Sequence, residues 1–158
     1  MDYVFQERQR FNQWWLWLII LGVNGFIEFA ITYLLMVYPT NIGLWIAAGT
    51  IAFISIAFYF FILETRINEK GIQVRFFPFH TSFITISWDQ LEKVEVRKYK
   101  PLGEYGGWGL RYGSGGKAYN ISGNIGMQLT FKDGSTLLIG TNKKEEVEAI
   151  LKHFPLLK

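Results

Sequence analysis

Glu28 is the only formal charge in an apolar run that extends from Trp14 to Tyr38. Asn24 and Thr32 stand four residues to either side of it, so the three form one polar stripe on a helix. A carboxyl with such neighbours can serve as a proton or ion site, or it can bind a partner helix. It can also be satisfied by hydrogen bonds within its own helix pair. A charged acid at mid-membrane costs a few kcal/mol on insertion scales, and protonation lowers that cost. Two helices cannot enclose a pathway by themselves, so transport chemistry would require oligomers.

The element that positions Glu28 is one of a pair. A second apolar run, Ile42 to Leu63, carries no charge, and only Pro39-Thr40-Asn41 separates the two. Each run exceeds the roughly 20 residues needed to cross a bilayer core. The reading is a transmembrane hairpin over 14–38 and 42–63, preceded by a short N-terminal segment, 1–13. No small-x-small cleavage pattern follows the first run, which favours a retained helix over a signal peptide. Ala48, Ala52 and Ser55 recur at i, i+4 and i+7, a small-residue face for packing on the first helix or on a second copy of the chain. Gly22, Gly25 and Ala30 are less regular. Antiparallel geometry sets Thr50 near the depth of Glu28 and Ser55 near that of Asn24.

Orientation follows from the flanking cations. Arg8 and Arg10 precede the first run, Arg66, Lys70 and Arg75 follow the second, and the turn has no charge. Both termini are therefore expected in the cytoplasm of a cell bounded by an inner (plasma) membrane. Trp14, Trp15 and Trp17 suit the inner interface; Tyr38 and Trp45 suit the outer one.

Residues 64–158 form the rest, with 14 Lys/Arg against 10 Asp/Glu, a net of +4. Here the apolar period becomes twofold. Alternation predicts strands near 72–76, 84–88, 94–96, 108–112, 117–122, 125–131 and 137–139. Asp133-Gly134 signals a tight hairpin between the last two. A closing helix is expected from an Asn142 cap with Glu145 three residues on. Its stripe is Val147, Ile150, Leu151 and Phe154, and Pro155 would end it. Seven antiparallel strands and one amphipathic helix can form a small barrel plugged at one end, filled by Trp88, Trp108, Leu129 and Phe131.

The segment Gly106-Gly107-Trp108-Gly109-Leu110-Arg111-Tyr112-Gly113, then Gly116-Lys117-Ala118-Tyr119 and Lys132-Asp133-Gly134-Ser135, resembles bacterial membrane-anchored pleckstrin-homology-like (PH-like) proteins. The likeness covers roughly 64–152. It implies a membrane α + β architecture, a two-helix hairpin followed by a PH-like barrel, and scaffolding, assembly or lipid-surface roles. It does not bring the phosphoinositide site with it. The first hairpin reads Arg75-Phe76-Phe77-Pro78-Phe79-His80-Thr81-Ser82, and no Lys or Arg follows as far as Trp88. Phe76, Phe77 and Phe79 read instead as core plus an apolar tip.

Other chemistries lack their residues. Without cysteine there is no thiolate nucleophile or thiolate metal site. The glycine-rich stretch 103–116 fails the phosphate-loop pattern, since Arg111 stands where glycine is required and Ala118 follows Lys117. His80 and His153 have no metal-ligand spacing around them. Ser114, Ser122 and Ser135 lie in no nucleophile motif. Arg66, Lys70, Arg97, Lys98 and Lys100 are candidate contacts to an anionic leaflet. The expectation is a non-catalytic membrane protein that needs no cofactor and binds no nucleic acid. It would dock a membrane or cytoplasmic protein, or assemble as a homo-oligomer. The rival is a subunit of a membrane enzyme or of a proton- or ion-coupled transporter that uses Glu28.

Overall fold

A computed structural model describes residues 4–154. Pro155, the expected helix stop, lies outside the described residues. The chain divides into two compact units. One is the helical hairpin, Phe11–Phe61. The other joins the residues up to Arg10 with those from Ile62 onward. The expected divisions after 13 and 63 thus fall after 10 and 61.

The hairpin consists of α1 (Trp14–Val37) and α2 (Ile42–Tyr59). Both are long and apolar enough to cross a membrane by length and composition. The second is shorter than expected. At 1.5 Å per residue its 18 residues span about 27 Å, against a hydrocarbon core of about 30 Å. Ile62 and Leu63 were expected in this helix but belong to a strand. The alternation Leu63, Thr65, Ile67 draws them into pairing with Phe77 and Phe76. Asn41 caps α2, its Oδ1 accepting from the Leu44 N–H at 3.3 Å. Ile31 is the buried residue of α1, and α2 has none.

Among the described residues the β unit holds nine strands in two sheets, where seven in one barrel were expected. All seven expected strands are present as β3 (Gly71–Phe77), β4 (Ile84–Ser87), β5 (Leu91–Lys98), β6 (Gly109–Gly113), β7 (Gly116–Asn120), β8 (Ile125–Phe131) and β9 (Thr136–Gly140). The additional two are β1 (Phe5–Arg10) and β2 (Ile62–Asn68), which flank the hairpin in sequence. They pair antiparallel with each other, Arg10 opposite Ile62. The hairpin is therefore an insertion between two hydrogen-bonded neighbours.

The first sheet runs β1-β2-β3-β4, and the second runs β5-β8-β9-β7-β6. The β7–β9 pairing is parallel, a departure from the all-antiparallel expectation. It arises because the antiparallel β8–β9 hairpin inserts β9 between β8 and β7, so that β9 runs in the direction of β7. Asn120 crosses so close to Gly140 that a Cβ there would sit 3.0 Å from the Asn120 Cβ. The core lies between inward rows of both sheets, with Leu63, Ile67, Ile72, Val74 and Phe76 from one and Val94, Met127, Leu129 and Ile139 from the other. Phe76 and Tyr119 link them, their ring centroids 6.2 Å apart. Full burial of such side chains contributes about 1.5–3 kcal/mol each. Of the four expected core fillers, Leu129 is fully buried, while Trp88, Trp108 and Phe131 are half-buried. Trp88 stacks on Phe154 at 4.5 Å and donates to the Asn68 carbonyl.

The last helix, α4 (Lys144–Leu151), buries Val147 and Leu151, as its stripe implied. Its cap differs. Lys143 occupies the cap position without a side-chain bond, because Asn142 is committed elsewhere. The Asn142 N–H donates to Glu7 Oε1, and its side chain reaches Gln9 and Ser122.

Candidate functional sites

Three features hold candidate site residues: the strand before the hairpin, the groove between the two helices, and a basic cleft on the β unit. The first escaped the sequence reading. In β1, Phe5, Glu7 and Gln9 point inward. Glu7 accepts from Thr141 Oγ1 at 2.6 Å and from the Asn142 N–H at 2.9 Å. Gln9 donates to the Gly140 carbonyl at 2.7 Å. A buried carboxylate is costly unless such donors meet it, and here two do. On the opposite face, Arg8, Glu64 and Arg75 form a cross-strand row. Glu64 takes Arg8 at 3.2 Å and Arg75 at 2.6 Å. Polar residues facing inward give no apolar alternation, so β1 left no strand signal.

In the hairpin, an open groove of about 560 Å³ lies between α1 and α2. Asn24 and Glu28 line it from one side, and Ala48, Ala52 and Ser55 from the other. Two members of the polar stripe and the whole small-residue face thus meet. Thr32 is absent from the lining and turns back to donate to the Glu28 carbonyl at 2.8 Å. Asn24 donates to the Ile20 carbonyl, and Ser55 to that of Ile51. Thr50, expected at the depth of Glu28, is exposed and donates to Ile46. Each of these side chains thereby satisfies itself within its own helix. Glu28 differs, since its Oε1 is buried with no hydrogen-bond partner among the described residues.

On the β unit, an open cleft of about 610 Å³ is bounded by Lys98, Lys100, Leu102, Glu104, Trp108 and Asn124. The short helix α3 (Pro101–Tyr105) forms one wall. Gly113 allows the β6–β7 hairpin to approach it, since a Cβ there would collide with the Glu104 carbonyl. Gly116, at φ 88°, permits the turn. Behind the wall lies a polar network. Arg97 donates to Glu104 at 2.7 Å and to Gln128 Oε1 at 3.0 and 3.1 Å. Tyr105 donates to the Gly115 carbonyl at 3.2 Å. The Arg97 hydrogen bond, helped by the Lys100 N–H, holds the Glu104 carboxyl below its usual range. Burial pushes the Tyr99 phenol up to about 12, with Asn120 opposing.

The five candidate leaflet contacts therefore separate. Lys98 and Lys100 are exposed at the cleft. Arg97 is an internal brace. Arg66 lies over the Phe83 ring at 4.1 Å, with Arg75 over the same ring at 4.7 Å. Lys70 is exposed in the β2–β3 turn, at the end of β2 remote from Ile62. At the opposite end, Phe77 pairs with Ile62, and Phe79 beyond it is 60% exposed, while Phe76 is buried. The apolar tip expected around Pro78 has that division.

No family model matches the chain, nor does any curated protein or solved structure.

Proposed function

We propose that the chain is a non-catalytic integral membrane protein of a bacterial inner (plasma) membrane. Its hairpin anchors a cytoplasmic β domain, a variant of the PH-like fold, whose role is protein docking or assembly at the membrane surface. One observation carries the reading. Two helices with outward apolar side chains are inserted between the neighbouring strands β1 and β2, so chain leaves and re-enters one domain at a single edge. A bilayer is the solvent that such side chains require, and a hairpin returns both ends to one side. The flanking cations Arg8, Arg10, Arg66, Lys70 and Arg75 support a cytoplasmic side under the positive-inside rule. The partner is a membrane or cytoplasmic protein, or another copy of the chain. No cofactor and no nucleic acid enter the reading.

A second reading rests on the orphaned Glu28 Oε1 beside the interhelical groove. In it, the chain is a subunit of a membrane enzyme or of a proton- or ion-coupled transporter.

The test is carbonate extraction of membranes from expressing cells, then mild-detergent capture and mass spectrometry. Retention in the membrane with a stoichiometric partner protein supports docking. Release by carbonate overturns the anchor. Co-purification with a known transport or enzyme complex favours the second reading.

A further inference from the structure

We propose that the cleft between Lys98 and Trp108 seats the phosphate of an anionic phospholipid from the bilayer that the hairpin spans. The inference rests on the membrane-anchored reading above and names its surface ligand.

Glu104 is the one carboxylate lining the cleft, and it is occupied. Its Oε2 takes Arg97 and its Oε1 takes the Lys100 N–H, each at 2.7 Å. The ammonium groups of Lys98 and Lys100 stand exposed beside a neutralised acid. An anion entering the cleft meets two cations and no free negative charge from its walls.

Leu102 is 71% exposed. Trp108 presents its indole, whose Nε1–H donates to the Gly123 carbonyl at 2.9 Å. An interfacial lipid offers phosphate beside glycerol and the first methylenes. Cations next to an exposed leucine and a tryptophan match that order.

Arg10 and Ile62 pair where the chain passes into the hairpin. Gln9, next in β1, bonds Gly140 and is met by Asn142 at 3.4 Å. Asn142 donates to Ser122 at 3.1 Å, and the adjoining Gly123 carbonyl holds Trp108. The cleft therefore lies at the end of the second sheet to which the hairpin-bearing strand is bonded. Exposed Phe79 lies at the matching end of the first sheet, beyond the Phe77–Ile62 pair. Two flexible lysines without an arginine fork select negative charge rather than one headgroup.

The test uses the full chain carrying Leu102→Cys. No native cysteine competes, so one environment-sensitive fluorophore reports on the cleft. The protein is reconstituted into vesicles of phosphatidylcholine, with or without phosphatidylglycerol. The expected result is a blue shift of the label only with phosphatidylglycerol. Each lysine should contribute about a fivefold change in the docked population, and high salt should reverse the shift. Lys98→Gln/Lys100→Gln should abolish the shift while the melting temperature holds. An equal signal in both vesicles overturns the proposal. So does an equal shift with inorganic phosphate and neutral vesicles, which would assign the cleft to a soluble anion. Flotation of the same vesicles after a carbonate wash separates the two readings. Failure to float removes the anchor and this inference together; flotation with an unresponsive label removes only the inference.

Discussion

Thr141 donates its hydroxyl proton to Glu7 at 2.6 Å, across 134 residues of chain. The same threonine oxygen accepts the Lys143 N–H at 3.0 Å, so the strand before the hairpin braces the segment that leads into α4. The contact ties the beginning of the described chain to its end, with the whole hairpin between them.

Glu7→Ala should therefore destabilise the β domain, although Glu7 precedes the hairpin. It leaves the Thr141 hydroxyl and the Asn142 N–H without their acceptor, at about 1–3 kcal/mol. Denaturant unfolding of the detergent-solubilised protein measures this. A change under about 0.5 kcal/mol would mean that β1 is not integral to the fold.

A soluble domain should follow from joining Arg10 to Ile62 through a short loop, because the two are already opposed in the β1–β2 pair. This chimera should melt cooperatively. A fragment starting at Arg66 lacks β1 and half of the β2 pairing, and should not. Equal cooperativity of the two in near-UV circular dichroism would contradict the role given to β1.

Leu151 is 1% exposed on the inner face of α4. Leu151→Ala should cost about 2–5 kcal/mol, since the cavity adds to the lost transfer energy. Thermal unfolding of the chimera reads it directly. A negligible shift would detach α4 from the core.

Acid should loosen α3. Glu104 has a carboxyl held below its unfolded value of 4.5 by Arg97, so its contribution is present above that value. It is lost as pH falls through the lower folded value. Glu104→Gln should remove this part of the pH dependence. The effect is small, because the pair is more than a quarter exposed and screened by solvent. Hydrogen exchange of the 102–106 amides from pH 6 to pH 3 tests it; parallel behaviour of wild type and variant would refute the brace.

Glu28→Gln should preserve helix association, and Glu28→Leu should weaken it, because only the amide retains hydrogen-bonding capacity at the groove. Detergent cross-linking through an engineered cysteine compares them. If Glu28→Gln abolishes a deletion phenotype's rescue with assembly intact, ionisable chemistry replaces the assembly role.

Much of this protein was legible in its sequence. Two charge-poor apolar runs showed as helices, since each is far longer than a strand. Seven strands showed in the twofold period, and the buried face of α4 in Val147 and Leu151. These are local signals, set by which side of an element each residue occupies. Tertiary structure decided what local patterns do not encode. β1 is a strand because it pairs with β2 while Gly140, Thr141 and Asn142 supply partners for Gln9 and Glu7, so two of its three inward positions are polar and silent in hydropathy. Asn142 looked like a helix cap until β1 claimed it. Arg97, Lys98 and Lys100 read alike as one basic run. Alternation along β5 and the placing of α3 set Arg97 against Glu104 and leave the two lysines outside. The parallel β7–β9 pair is equally invisible, because register between distant strands is settled by the packing of the whole sheet.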